Sequence, residues 1–302
     1  MLESPLVFII FNRPETTLQV WARIRAAKPS RLFLISDGPR KGHSADLERC
    51  ATVRGIVDCV DWPCRVSRDY SEVNMGNAVR VSSGLNWVFS QVEEAIILED
   101  DCLPDASFFP FCAELLARYR HETRVVQIAG CSFQPQVFAG KDSYFFSRYT
   151  HSWGWATWRR AWQLYDHSMR TWHESRGGDW LPKLIANPAE RRIWEECFDA
   201  TLAGRVNTWD YRWTFSIWRQ QGLSILPYRN LISNIGFGSD ATHTRRSSPF
   251  AALGLSPMPF PLVHPDSFDR DESADALTSR LVFTPPGWPV RIRRKLKQWL
   301  SR

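Results

Sequence analysis

Short apolar runs alternate with stretches of helical character across the first 130 residues, and this alternation constrains the fold more than any other feature of the chain. Residues 6–11 are continuously apolar and read as a buried strand, followed by a helix over residues 14–27. A second strand is expected at 31–36, ending in the turn sequence Asp37-Gly38-Pro39. A helix over 45–59, a strand at 64–69 and a helix over 78–90 follow, the last introduced by Asn74-Met75-Gly76-Asn77. A fourth strand at 94–98 runs into Glu99-Asp100-Asp101. Asp105 is the expected N-cap of a helix through residue 119, and residues 125–129 form a fifth strand. This βαβαβαβαβ order predicts an α/β protein with a mostly parallel sheet and helices on both faces.

Ligands of such sheets gather at the carboxyl ends of the strands. Three chemically informative stretches fall there: Asn12-Arg13, Asp37-Gly38 and Glu99-Asp100-Asp101. From about residue 131 the pattern changes. Ten of the 15 tryptophans lie between Trp153 and Trp218, with helices expected at 156–165, at 191–202 and from the Thr208-Trp209-Asp210-Tyr211 segment through 221. A short strand is expected at 223–226. The organisation predicted is a first half over 1–130, a second half of the same domain over 131–245, and a Pro/Ser-rich extension over 246–302 ending in a basic amphipathic helix.

The net charge of +6 is local: residues 289–302 carry six basic and no acidic side chains, which leaves the rest of the chain formally neutral. No nucleic-acid partner is therefore expected. In the tail, Ile292, Leu296, Trp299 and Leu300 share one helical face with basic residues around them. That pattern suits either an anionic membrane surface or docking on the chain's own domain. Seven cysteines with no CxxC pair give neither a disulfide framework nor a zinc site, and favour a reducing compartment. No signal peptide and no span of about 20 apolar residues is recognised. The expectation is a cytoplasmic protein, soluble or peripheral on the inner face of the membrane.

Glu99-Asp100-Asp101 follows an apolar strand directly, so its carboxylates emerge at a strand's carboxyl end. Oxygen ligands of this kind select Mg²⁺ or Mn²⁺, which keep positions open for substrate phosphates; the alternative is a set of solvated loop acids. The stretch Ile96-Ile97-Leu98-Glu99-Asp100-Asp101-Cys102-Leu103-Pro104-Asp105 resembles the metal-binding DxD region of GT-A-fold glycosyltransferases, and within them the E-D-D segment of the N-acetylglucosaminyltransferase I family. The resemblance to the wider class covers about residues 4–245 and implies a GT-A-type, Rossmann-like sheet. It implies Asp101 on the metal, Asp100 at the ribose or sugar, and Glu99 beside them.

The same resemblance places Asn12 and Arg13 at the start of a nucleotide pocket and Asp37 at the nucleotide base, where the plain alternative is an ordinary turn. Asn74, Gly76 and Asn77 resemble the segment opening the helix before the metal strand in family 2 glycosyltransferases, with Arg80 as a further phosphate or base contact. A helix N-terminus at this point offers amides to a diphosphate. Thr208-Trp209-Asp210-Tyr211-Arg212-Trp213 resembles the E-D…R segment of inverting family 2 enzymes, with Trp209 standing where that family often has Glu. Asp210 is thus the candidate base, since an attacking hydroxyl must lose its proton; the other role is N-cap of the helix it begins. His243 lies where several GT-A enzymes supply a late metal or diphosphate ligand, or else is a surface residue. Trp155, Trp158 and Trp162 are spaced as a single helical stripe and are assigned to packing, which leaves Trp153 and Trp209 as acceptor-stacking candidates.

The leading expectation is a metal-dependent inverting glycosyltransferase using Mn²⁺ or Mg²⁺. It moves a hexose or N-acetylhexosamine from a nucleoside-diphosphate donor, UDP foremost, to a carbohydrate or lipid-linked acceptor in cell-envelope polysaccharide synthesis. A sugar-nucleotide pyrophosphorylase is disfavoured because Phe11-Asn12-Arg13-Pro14 lacks a Gly-rich loop. The rival from another class is a catalytically silent carbohydrate-binding or envelope scaffold on the same fold.

Overall fold

A computed structural model describes residues 1–134, 142–237, 250 and 253–284. The first half follows the alternation of the sequence: β1 (Leu6–Ile10), α1 (Pro14–Ala27), β2 (Arg31–Ser36), α2 (Ser44–Asp58), β3 (Arg65–Tyr70), α3 (Asn77–Phe89) and β4 (Glu94–Glu99). Next come β5 (Cys102–Pro104), α4 (Phe108–Arg118), β6 (Val125–Ala129), β7 (Tyr144–Ser147) and β8 (Trp155–Trp158). Short helices α5 (Arg159–Trp162), α6 (Trp172–Ser175) and α7 (Trp180–Leu184) lead to α8 (Pro188–Leu202) and α9 (Asp210–Arg219). β9 (Leu223–Pro227), β10 (Ile232–Asn234), α10 (Glu272–Thr278) and a π-helical turn (Ser279–Phe283) complete the described chain.

Eight strands form one sheet in the order β3-β2-β1-β4-β8-β6-β9-β7. β1, β2, β3 and β4 are mutually parallel, as are β6 and β9, whereas β8 and β7 run antiparallel to their neighbours. The result is a Rossmann-like, mostly parallel sheet, and it runs unbroken across the boundary expected near residue 130. Its two faces are filled by period-two alternation, as a strand buried on both sides requires. Leu6, Phe8 and Ile10 join α1, α2 and α4 in one core. Val7 and Ile9 join α3, α5 and α9 in the other. A small antiparallel pair, β5 with β10, lies beyond the end of β4.

Two local expectations are corrected. Residues 156–165 do not form one helix: Trp155–Trp158 is strand β8, inserted between β4 and β6. Trp155 and Trp158, three apart, therefore face opposite cores rather than sharing a stripe. The ladder hydrogen bonds offered by strands on both sides outweigh a spacing that a helix would satisfy equally well. Both side chains are nonetheless fully buried, so packing is their role. Asp105 is not the cap of α4. The helix starts at Phe108, and Asp105 Oδ1 accepts from Ser107 N (2.9 Å) and Oγ (2.5 Å) in the turn before it. Its backbone amide is drawn to Leu231 O (2.8 Å), where the chain leaves the β5–β10 pair.

All seven cysteines are free thiols. Among the described residues no helix is long and apolar enough to cross a membrane. The basic tail lies outside the described residues.

Candidate functional site

The carboxyl ends of β1, β2 and β4, the start of α3 and the start of α9 converge at one end of the sheet. β1 and β4 are paired in register, so Arg13 leaves β1 beside the acidic triplet. The Arg13 guanidinium is held between two carboxylates. Nη2 pairs with Asp100 Oδ1, and Nη1 donates to Asp101 Oδ2 (2.8 Å). Asp100 is buried, and its other oxygen accepts from Phe11 N (3.0 Å). Burial works against Arg13's charge, but Asp100 and Asp101 outweigh it and hold the guanidinium above its usual range. Among the described residues Arg13 Nε is buried and has no hydrogen-bond partner.

Glu99 takes up its proton more readily than an ordinary carboxyl. Burial is the chief cause, Asp101 and Asp100 add repulsion, Arg13 opposes them, and Asp210 contributes from across the site. Glu99 and Asp210, far apart in sequence, thus sit within electrostatic reach of each other. Asp101 is the more accessible aspartate of the pair, with 16% of its side chain exposed against 3% for Asp100. Among the described residues its Oδ1 meets the Cys102 thiol (3.4 Å), a weak donor. After β10 the chain returns over this carboxylate: Ile235 N donates to Asp101 O (2.8 Å). A Cβ on Gly236 would stand 2.3 Å from Asp101 Oδ2 and 2.7 Å from Arg13 Nη1, so only glycine allows that approach. Phe237 then meets Trp153 edge-on at 5.7 Å, and Trp153 also meets Phe133 at 5.0 Å.

Asp37 is buried and saturated. Its oxygens accept from Gly38 N (2.9 Å), Met75 N (2.8 Å), Gly76 N (3.0 Å) and Asn74 Nδ2 (3.0 Å). In this arrangement it shapes the turn into α3. Asn74 Nδ2 also donates to Gly38 O (2.9 Å), so the whole stretch is tied to the end of β2. Asn12 is buried and donates to Asp46 Oδ1 (2.7 Å). Asp46 also takes Arg40 Nε (2.6 Å), and chiefly through that contact its carboxyl is held low. Arg80 is buried on α3 and committed to Asp69, by Nη2 at 2.7 Å from the carboxylate, and to Ser36 O (3.2 Å). Asn77 Oδ1 faces Trp209 N (3.4 Å). At the start of α3, Ala78 N donates to Asn207 Oδ1 (3.1 Å), and just before the helix Met75 N and Gly76 N serve Asp37.

Asp210 is the first residue of α9, with Trp209 in the N-cap position; its side chain does not serve as that helix's cap. Its Oδ1 accepts from Thr208 Oγ1 (2.5 Å) and Tyr211 N (2.9 Å). Trp209 is buried and stacked on Trp155 with ring centroids 5.1 Å apart, so one of its faces is covered by protein. Trp153 is the half-buried one of the two. His243 lies outside the described residues. Reasoning from sequence missed Asn207, which approaches the site through hydrogen bonding rather than through charge.

Among the described residues no group of three or more His, Cys, Asp or Glu side chains is arranged to hold a metal ion. A single carboxylate at the rim still fits Mg²⁺ or Mn²⁺ bound largely by water and substrate phosphates. Asp101 is the residue of that description.

No protein-family model matches this chain, and no curated protein does. Among solved structures it is similar to 4-diphosphocytidyl-2C-methyl-D-erythritol synthase from Anaerococcus prevotii, at 11% identity and a TM-score of 0.35, covering 58% of this chain and 84% of that one. It is also similar to a UDP-glucose pyrophosphorylase complexed with UDP-glucose, at 10% identity and a TM-score of 0.27, covering 48% of this chain and 62% of that one. These likenesses concern the α/β fold and extend no further. The fold and the strand-end site define a mixed α/β protein with a Rossmann-like sheet.

Proposed function

We propose that this chain is a glycosyltransferase that moves a sugar from a nucleoside diphosphate to a carbohydrate or lipid-linked hydroxyl with inversion. The observation that carries the reading is that Glu99-Asp100-Asp101 ends β4 beside Arg13, while the segment leading into Asp210 is hydrogen-bonded to the start of α3 at the same end of the sheet. Arg13, at the end of β1 beside Asp100 and Asp101, offers positive charge to the donor diphosphate. Asp101 would hold a divalent cation, which supplies charge neutralisation on the departing diphosphate. Asp210 accepts the proton of the acceptor hydroxyl as its oxygen bonds to the anomeric carbon and the nucleoside diphosphate leaves. Trp153, with Phe133 and Phe237 against it, is the aromatic surface on the acceptor side. UDP is the donor of first choice, from the resemblance of the triplet segment.

The test is turnover of a panel of nucleotide sugars with Mn²⁺ and added acceptors, for the wild type, Asp101→Ala and Asp210→Asn. Turnover by the wild type that falls in both variants supports the reading. Equal rates in Asp101→Ala would remove the metal assignment, and full activity in Asp210→Asn would remove the base. The silent-scaffold reading draws on one observation, that Arg13 already neutralises Asp100 and Asp101 internally. Carbohydrate binding without turnover of any donor would favour it.

A further inference from the structure

The segment that carries Asp210 is fastened to the start of α3 by a reciprocal pair of asparagines. Asn207 Oδ1 accepts from Ala78 N (3.1 Å), and Asn77 Oδ1 faces Trp209 N (3.4 Å). Each asparagine thus takes a backbone amide of the other's segment, across about 130 residues of sequence. Gly76, at φ +78°, makes room for this: a Cβ there would stand 2.4 Å from Asn207 Nδ2. The far side of the segment is fixed by Trp209, buried and stacked on Trp155. Asp210 follows at once, its Oδ1 held by Thr208 Oγ1 and Tyr211 N.

The clamp is continuous with the donor side. Asp37 holds the Met75 and Gly76 amides, and Gly76 is the residue against which Asn207 lies. A chain of short contacts therefore runs from the end of β2 through the 74–78 turn to the 207–210 segment. One first-turn amide of α3, Ala78 N, is spent on this link.

We infer that Asn207 is a positioning residue for Asp210, fixing the base relative to the Glu99-Asp100-Asp101 end of β4 by way of the α3 N-terminus. The inference rests on the transferase reading given above. General-base catalysis requires the base within hydrogen-bond reach of the proton it takes, and small displacements cost large factors in rate. Asn207 touches neither reacting group in this account and acts through the placement of the residue three positions on.

The experiment is steady-state kinetics of donor turnover for the wild type, Asp210→Asn, Asn207→Ala, Asn207→Asp and Asn77→Ala, with thermal midpoints of each. Asn207→Ala is expected to lower kcat about 10-fold or more, with donor KM within about 2-fold of wild type, because donor contacts are untouched. Asn207→Asp keeps an acceptor oxygen for Ala78 N and is expected to recover most of the lost kcat. Asn77→Ala should lower kcat in the same direction but less, since its contact is longer. The inference is overturned if Asp210→Asn is inactive while Asn207→Ala turns over as wild type does. It is equally overturned if kcat in Asn207→Ala falls only in step with loss of the folded fraction and Asn207→Asp restores nothing. Absence of turnover in the wild type, or full activity in Asp210→Asn, would instead defeat the transferase reading itself and the inference with it.

Discussion

The half of the molecule built from β1 to β4 and the aromatic region from β7 to α9, with α10 and the turn after it packed on it, bury their polar residues for different ends. In the first, the buried charges sit at strand ends and point toward one another: Arg13 between Asp100 and Asp101, Glu99 beside them. In the second, they stitch layers together. Glu190, fully buried on α8, accepts from Tyr149 Oη (2.7 Å) and Ser279 Oγ (2.5 Å) and lies 3.4 Å from Arg148 Nη2. Asp275, on α10, accepts from Ser147 Oγ (2.5 Å) and is ion-paired with Arg270, whose Nε lies 3.3 Å from its carboxylate. A regular α/β unit covers its sheet with apolar helices and leaves its charges at the edge, where chemistry is available. A region of short helices and wide aromatic rings needs polar cross-links to close its layers, and such groups mimic an active site without being one.

Asp210 is where the two regions meet, and its loss should have the largest effect. Asp210→Asn is expected to lower donor turnover by about 10²–10⁴-fold, with the thermal midpoint nearly unchanged; a midpoint that falls as sharply as the rate would move Asp210 into the structural group. Next comes the aromatic region itself. Trp155→Ala should cost about 3–5 kcal/mol of folding stability in denaturant titration, because a fully buried indole is removed from between α5 and α9. Trp153→Ala should instead act mainly on acceptor KM. The reverse ranking of these two would exchange their roles.

The stitching of the second region has a pH signature. Burial raises the Asp275 carboxyl to about 6, against Ser147 and Arg148 acting in the other direction. The folded chain then holds a proton there that the unfolded chain has released, so this group's stabilisation is present below about pH 4 and is lost as pH rises through 6. The linkage amounts to about 3 kcal/mol at most. The stability difference between wild type and Asp275→Asn, followed by denaturant midpoints from pH 4 to pH 7, should grow with pH in favour of the asparagine variant. A flat difference would show that Asp275 is charged throughout. The smallest effect belongs to the surface of the first region: Arg25 and Asp61 are paired but more than half exposed, and Arg25→Ala should leave the thermal midpoint within about 1 °C of wild type.

The contrast also explains what was legible in the sequence. The bounds of α1, β2 and β6 coincide with the periodicity reading, because in a parallel sheet covered by helices each element's local pattern and its burial agree. The triplet and Asp210 were recognisable as residue types in context. β8 was misread, since Trp155, Trp158 and Trp162 fit a helical stripe, while in the structure Trp155 and Trp158 fill opposite faces of a strand and Trp162 lies on α5. Only the gap between β4 and β6 decides between helix and strand. Asn207 gave no signal at all: an asparagine near a helix start has many uses, and its partner at Ala78 is distant in sequence.

The sequence alone determined the alternation of elements, and with it the parallel strands whose ends gather Arg13, Asp37 and the acidic triplet. Apolar periodicity acts over a few residues and is written directly in the chain. Tertiary structure alone decided that Arg13 is shared by Asp100 and Asp101, that Asp37 spends its oxygens on the turn before α3, and that the segment leading into Asp210 is tied to the start of α3. Hydrogen bonds and charge interactions depend on distances between segments far apart in the chain, and those distances exist only once the sheet has formed.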